Sequence, residues 1–197
     1  MNINDLKAFF STGVEQNIDA LYSVALRLTR KNVDAEDLVA ETVAKAWGAI
    51  GTLNDQDRFR PWLFRILHNV FVSDYRKKTI RPVEASFDQG DDSDDELASL
   101  LNEHSDDFLV WWSNPERAYF NDLLGDQLLD AIDNLPEAFR SVVVLVNVEG
   151  FTYDETAEVL GIAPGTVRSR MKRGRTLLQK SLWEQRPGSQ ENTSNET

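Results

Sequence analysis

Cysteine is absent from this 197-residue chain, and histidine occurs only twice, as His68 and His104. Disulfides, thiolate zinc sites and thiol redox sensing within the chain are therefore excluded, and we predict neither a metal nor a cofactor. No hydrophobic run approaches the roughly 18 residues of a membrane span, and the N-terminus lacks the pattern of a signal peptide. We therefore expect a cytoplasmic protein that is not inserted in a membrane.

Basic residues are also scarce, because 21 Lys and Arg stand against 33 Asp and Glu, for a net charge of −12. The acidic residues are concentrated between residues 83 and 137, where sixteen of them accompany Arg117 alone. That segment has a net charge of −15, so the rest of the chain has a net charge of +3. The two ends must consequently be judged separately from the whole-chain charge.

The first 82 residues show helical periodicity and predict one helical domain. Ile18, Leu21, Tyr22, Ala25 and Leu28 recur at the spacing of one helical face. Asp34 is predicted to be the N-cap of a second helix that Gly51 ends, and Pro61 is predicted to lie in the first turn of a third.

Residues 83–119 break this pattern and predict an acidic linker. Within it, residues 108–113 (FLVWWS) include five consecutive apolar residues that we expect to be covered. Helical spacing resumes over residues 120–185, the second predicted domain, and residues 186–197 predict a disordered tail.

Residues 141–148 (SVVVLVNV) favour a strand by local propensity. We predict a helix there, because Pro136 suits a helix start and Gly150 a helix stop.

A helix-turn-helix is predicted from Thr152 onward. Thr152 and Glu155 match a capping box, Gly161 ends the first helix and Pro164 begins the second. On the second helix, Val167, Met171, Leu178 and Leu182 form an apolar face on which Gly174 permits close approach. Most of the basic residues of PGTVRSRMKRGR lie on the other face.

Two readings of that basic face are possible. A solvated face on an ordinary amphipathic helix is one, and a recognition helix in the DNA major groove is the other. The capped partner helix and the short turn favour DNA. Arg170 lies nearer the apolar edge and is predicted to pair with Asp154, Glu155 or Glu158.

Residues 135–178, LPEAFRSVVVLVNVEGFTYDETAEVLGIAPGTVRSRMKRGRTLL, resemble region 4 of extracytoplasmic-function (ECF, group IV) RNA polymerase sigma factors. DAEDLVAETVAKAW resembles their region 2.2, and FRPWLFRILHNVFVSDYRKK resembles region 2.3 running into 2.4. The resemblance implies an all-α fold of two small helical domains, sigma domain 2 and sigma domain 4, joined by the acidic linker. It also implies a non-enzymatic initiation factor that reads two promoter elements about two DNA turns apart.

The resemblance further implies partners and site residues. The partners would be core RNA polymerase, through its β′ clamp coiled coil and β flap, promoter DNA, and an anti-sigma factor. The polymerase-binding residues would be Asp37, Leu38, Glu41, Thr42 and Ala46, although Leu38 and Ala46 can equally be core residues. The minus-10 residues would be Arg65, Asn69, Tyr75, Arg76, Lys77 and Lys78, which His68 and Arg81 could join; Trp62 and Phe71 are assigned mainly to the core. The minus-35 residues would be Thr166, Arg168, Ser169, Lys172, Arg173 and Arg175.

The sequence leaves two other classes of function open. A helical repressor or activator would use the same helix-turn-helix but gives the third helix no obvious role. An enzyme has little support, because the chain has no Gly-rich phosphate loop and no cysteine nucleophile. The linker can be a spacer, an extended tether along the polymerase or, with little support, a calcium site. We also hypothesise that it masks the basic helices in the free protein.

Overall fold

The structure, a computed structural model, describes residues 3–78 and 127–184, with the side chains of residues 3–73 and 127–182. The predicted linker and tail, with FLVWWS and Arg81, lie outside the described residues. Within them the regular structure is helical and contains no strand, which confirms the all-α prediction.

Three helices form the N-terminal bundle: α1 (Ile3–Thr29), α2 (Asn32–Ala49) and α3 (Phe59–Lys78). All three pack against one another. The predicted face of α1 is largely confirmed, since Leu21, Ala25 and Leu28 are buried, whereas Ile18 is exposed. Each fully buried Leu or Phe side chain contributes about 1.5–3 kcal/mol of transfer free energy.

Two predicted helix ends differ from the structure. Asp34 is not the N-cap of α2, because the helix begins two residues earlier and Lys31 is the cap residue. Asp34 lies in the first turn instead, where a carboxylate still interacts favourably with the positive end of the helix dipole. Gly51 does not immediately end α2, because a 3₁₀ turn (Ile50–Thr52) continues from Ala49.

The C-terminal half begins with α4, described from residue 127 to residue 134. It continues with α5 (Glu137–Val143), a π-helical turn (Val144–Val148), α6 (Tyr153–Leu160) and α7 (Pro164–Glu184). The helical prediction for residues 141–148 is confirmed, and Gly150 has φ of 71° in the left-handed region. Four consecutive residues from Val142 to Leu145 are buried, so tertiary burial outweighs their local strand propensity.

The described helices belong to two compact units. The first contains α1 to α3 together with Leu135–Gly174, and the second contains α4 and the part of α7 from Arg175 onward. The first unit therefore holds the N-terminal bundle and the helix-turn-helix as far as Gly174.

Candidate nucleic-acid interface

Hydrogen bonds at Thr152 fix the start of α6. The Glu155 backbone N–H donates to Thr152 Oγ1 (3.2 Å), and the Thr152 backbone N–H donates to Glu155 Oε2 (2.9 Å), which is the predicted capping box. The hydrogen bonds from the Thr152 backbone N–H and hydroxyl hold the pKa of Glu155 below its ordinary value. Such a cap contributes about 1 kcal/mol.

The turn between α6 and α7 is built on Gly161, which ends α6 with φ of 67°. The Ile162 backbone N–H donates to the Ala157 carbonyl oxygen (3.1 Å), and Pro164 then begins α7. Both predicted boundaries are confirmed. A side chain at Gly161 would be strained, because L-residues rarely adopt this backbone conformation.

The buried face of α7 holds it close to α5. Val167 and Met171 are almost completely buried. At Gly174, an added Cβ would come within 2.9 Å of Val143 Cγ2 and 3.6 Å of Phe139 Cβ. The expectation that Gly174 permits close approach is thus confirmed, and it sets how α7 is rotated.

The opposite face of α7 presents the predicted minus-35 residues. Arg168, Ser169 and Lys172 are exposed, and Thr166, Arg173 and Arg175 are partly exposed. Ser169 Oγ donates to the Thr166 carbonyl oxygen (3.1 Å), which leaves its lone pairs available as acceptors. Packing at Gly174 therefore presents a basic, hydrogen-bonding surface of the kind that enters a major groove.

Arg170 was predicted to pair with Asp154, Glu155 or Glu158, and the structure gives Glu158 a different partner. Glu158 forms an ion pair with Arg58 of the 3₁₀ turn Gln56–Arg58. Arg170 instead lies close enough to His68 of α3 for its charge to lower the pKa of that imidazole. Sequence spacing could not reveal these contacts, because they join residues about a hundred positions apart.

On α3, the predicted minus-10 residues Arg65 and Asn69 are exposed. Tyr75, Arg76, Lys77 and Lys78 lie on the last turns of the same helix, but their side chains are outside the described set. Phe71 is buried, in agreement with its core assignment. Trp62 is half-buried, and its Nε1 donates to Thr52 Oγ1 (3.3 Å).

The predicted polymerase-binding residues of α2 divide into two groups. Leu38, Thr42 and Ala46 are buried in the bundle, and Thr42 Oγ1 donates to the Leu38 carbonyl oxygen (2.7 Å). Asp37 is exposed, and Glu41 is partly exposed beside Lys45 (2.6 Å). Leu38 and Ala46 are thus core residues of the bundle in this structure.

An outward seam on α2 was missed in the sequence. Its members recur at alternating spacings of four and three residues and are all exposed: Val33, Asp37, Ala40, Ala44 and Trp47. Val33 is 70% exposed and Trp47 39%. The spacing alone was a detectable signal, but only the burial of Leu38 and Thr42 shows which face of α2 is outward.

The described residues hold no cluster of three or more His, Asp or Glu side chains suited to a metal ion. None of the helices in residues 3–78 and 127–184 combines the length and the apolar character that a membrane span requires.

Two family signatures match the chain. Sigma-70 region 2 matches residues 14–80, and Sigma-70 region 4 matches residues 125–178. They occur in the order that the sequence motifs predicted. The first covers α2, α3 and most of α1, and the second covers the helix-turn-helix.

Two similar proteins carry the name ECF RNA polymerase sigma factor. The ECF RNA polymerase sigma factor SigE of Mycolicibacterium smegmatis is 36% identical over 169 residues, covering 86% of this chain but 60% of SigE. The ECF RNA polymerase sigma factor EcfG of Rhodopseudomonas palustris is 32% identical over 166 residues, covering 84% of this chain and 81% of EcfG.

Two solved structures are similar in fold. The sigma factor RpoE of Bartonella quintana, in complex with the anti-sigma factor NepR, has a TM-score of 0.60 at 26% identity and matches 90% of this chain and 98% of RpoE. CnrH, in complex with the cytosolic domain of CnrY, has a TM-score of 0.58 at 25% identity and matches 90% of this chain and 89% of CnrH. The chain belongs to the extracytoplasmic-function family of RNA polymerase sigma factors.

Proposed function

We propose that the protein binds core RNA polymerase and directs promoter-specific transcription initiation. The observation that carries this function is the exposed basic face of α7, held by a capped α6 and by the Gly174 contact, in a chain that also has region 2. It acts where the polymerase acts, in the cytoplasm, and RNA synthesis is catalysed by the polymerase.

The minus-35 element binds the exposed face of α7. Arg168, Ser169, Lys172 and Arg173 read base edges, because guanidinium, ammonium and hydroxyl groups match the donor and acceptor pattern of the major groove. Thr166 and Arg175 contact phosphates, which add affinity without sequence choice. The salt dependence of binding then reflects both groups.

The minus-10 element binds the outward face of α3. Arg65 and Asn69 begin that surface, and Tyr75, Arg76, Lys77 and Lys78 continue it. An aromatic ring can stack on an unpaired base and basic groups neutralise phosphates, so these residue types compensate for the lost base stacking of opened DNA.

The β′ clamp coiled coil binds the outward seam of α2. Asp37 and Glu41 keep their predicted role at its rim, whereas Leu38, Thr42 and Ala46 support the helix from inside. Small residues at Ala40 and Ala44 permit close helix approach, and Trp47 supplies a partly exposed aromatic anchor of the type enriched at interfaces. Region 4 would contact the β flap, and an anti-sigma factor would control the protein, as the complex of RpoE with the anti-sigma factor NepR suggests.

The test is abortive initiation with purified core polymerase on a promoter library. The double variant R168A/K172A should lose selection at the minus-35 positions while still binding core polymerase. Lys180→Ala is the matched control, since Lys180 is an exposed basic residue of the same helix outside the proposed site. If wild-type protein gives core polymerase no promoter-specific initiation, the proposal is wrong.

A further inference from the structure

The turn between α1 and α2 contains a strained backbone conformation. Arg30 has φ of 61°, and no other non-glycine residue in residues 3–78 and 127–184 has a positive φ. An L-residue is strained in this left-handed region, because its Cβ comes too close to the following carbonyl oxygen. Arg30 directly follows α1, at the position where helices commonly place glycine or asparagine. An arginine side chain is therefore held where glycine would be less strained.

Backbone groups and one hydroxyl hold this turn together. The Arg30 backbone N–H donates to the Leu26 carbonyl oxygen (2.7 Å). Thr29 Oγ1 donates to the Ala25 carbonyl oxygen (2.8 Å) and to the Lys31 carbonyl oxygen (3.2 Å). The side chains of Arg30 and Lys31 take no part in these hydrogen bonds.

The Arg30 and Lys31 side chains are exposed at the turn. Neither of them has a hydrogen bond or an ion pair with another residue that the structure describes. Lys31 is the cap residue of α2, but its side chain makes no capping hydrogen bond. Two adjacent cationic groups therefore present their N–H donors to solvent.

Stabilisation of α1 does not account for both charges. A cation near the C-terminus of a helix interacts favourably with the helix dipole, and Arg27 already supplies one in the last turn of α1. The Leu28 carbonyl oxygen, near the same helix end, accepts a hydrogen bond from the buried Arg140 guanidinium (3.4 Å). Strained residues of this kind are typical of binding sites, where the side chain has a role that outweighs the strain.

The chemistry of the turn suits phosphate groups. A guanidinium can donate two parallel hydrogen bonds to one phosphate, and a lysine ammonium binds phosphate as a compact point charge. In the proposed function the same bundle contacts DNA through Arg65 and Asn69 of α3. Promoter DNA is therefore the phosphate-bearing molecule that lies closest to this turn when the protein acts.

The size of the bundle brings the turn within reach of that DNA. A bundle of the 76 residues from 3 to 78 has a radius of gyration of about 11 Å and a diameter of about 30 Å. Phosphates follow one another at about 3.4 Å along the axis of each DNA strand, so 30 Å corresponds to about nine base pairs.

We propose that Arg30 and Lys31 form a third DNA contact of this protein, which binds backbone phosphates of promoter DNA within about nine base pairs of the minus-10 element. This inference rests on the proposed function. The contact adds affinity and fixes the position of the bundle on DNA, but it carries no sequence choice.

Salt dependence of promoter binding tests the inference. Full-length R30G/K31A removes both charges, and its complex with core polymerase is titrated against promoter DNA between 50 and 200 mM KCl. The matched control is K7A/K180A, which removes two exposed lysines from other surfaces of the chain. The exchange variant R30K/K31R keeps both charges at the turn.

Each phosphate contact contributes about 0.9 to the slope of log affinity against log salt concentration. R30G/K31A should therefore lower the magnitude of the slope by about 1.8, and the ratio of wild-type to variant affinity should shrink about tenfold from 50 to 200 mM KCl. K7A/K180A and R30K/K31R should keep the wild-type slope. The urea midpoint of R30G/K31A should equal or exceed that of wild type, because glycine adopts the left-handed conformation without strain.

A second measurement locates the contact on the DNA. Neutral methylphosphonate linkages replace single phosphates over about nine base pairs on either side of the minus-10 element. At the contacted positions the replacement should weaken binding of the wild-type complex and leave binding of the R30G/K31A complex unchanged.

Three outcomes contradict the inference in distinguishable ways. A wild-type salt slope for R30G/K31A would refute the phosphate contact and leave the proposed function intact. Weaker binding of R30G/K31A to core polymerase without DNA would show that the turn contacts the polymerase instead. If the wild-type complex with core polymerase shows no preference for promoter DNA, the proposed function is wrong and the inference with it.

Discussion

The imidazole of His68 should make the stability of this protein depend on pH. His68 lies on α3, its Nδ1 is buried, and it has no hydrogen-bond partner among the described residues. Burial, assisted by the charge of Arg170, lowers its pKa from 6.5 to about 4. The folded protein therefore disfavours the protonated imidazole.

The lowered pKa of His68 makes the folded protein less stable at acidic pH. Below pH 6.5 the unfolded chain binds a proton that the folded protein does not, so stability decreases as the pH falls and the loss is complete below about pH 4. At 1.36 kcal/mol per pKa unit the limit is about 3 kcal/mol, and between pH 7 and pH 5 the loss is about 2 kcal/mol. That is a substantial part of the 5–15 kcal/mol typical of a folded domain.

Urea unfolding at pH 7, 6 and 5 measures this effect in wild type and in H68Q. The difference in unfolding free energy between the two proteins should change by about 2 kcal/mol across that range. H104Q removes the other histidine and should keep the wild-type pH dependence. The reasoning is refuted if H68Q and wild type lose stability in parallel, or if the His68 resonance titrates near pH 6.5 in the folded protein.

Four further predictions concern packing, capping and docking. Gly174→Ala should destabilise the protein by about 1–3 kcal/mol in urea unfolding because its Cβ would overlap Val143, whereas Gly165→Ala, with open space around it, should be neutral or stabilising. Thr152→Ala should cost about 1 kcal/mol through loss of the α6 cap, and Thr152→Ser should retain most of it; a cost equal for both would exclude the hydroxyl as the cause. A double-mutant cycle with R58E and E158R should give a coupling of about 0.2–1 kcal/mol, with the charge-swapped pair recovering what each single variant loses. Ala44→Arg should weaken core polymerase binding measured by fluorescence anisotropy, while Ser11→Arg on the exposed side of α1 should not; equal binding would exclude the α2 seam.

Local patterns predicted much of the fold. The capping box at Thr152, the left-handed turn at Gly161 and the start of α7 at Pro164 depend on chemistry within a few residues, and all three are confirmed. Residues 141–148 were predicted as a helix from their flanking Pro136 and Gly150, against their β-branched composition. The predicted end of α2 was less accurate, because a 3₁₀ turn continues the chain from Ala49 and no residue type in the sequence marks that change.

The sequence by itself determined the helical class, the helix-turn-helix, the basic face of its second helix and the family resemblance, because periodicity, caps and turns are encoded locally. Only the tertiary structure decided which face of α2 is outward, that Glu158 pairs with Arg58, and that His68 lies close to Arg170. Those outcomes depend on which helices pack together, and contacts between residues about a hundred positions apart leave no periodic signal in either segment.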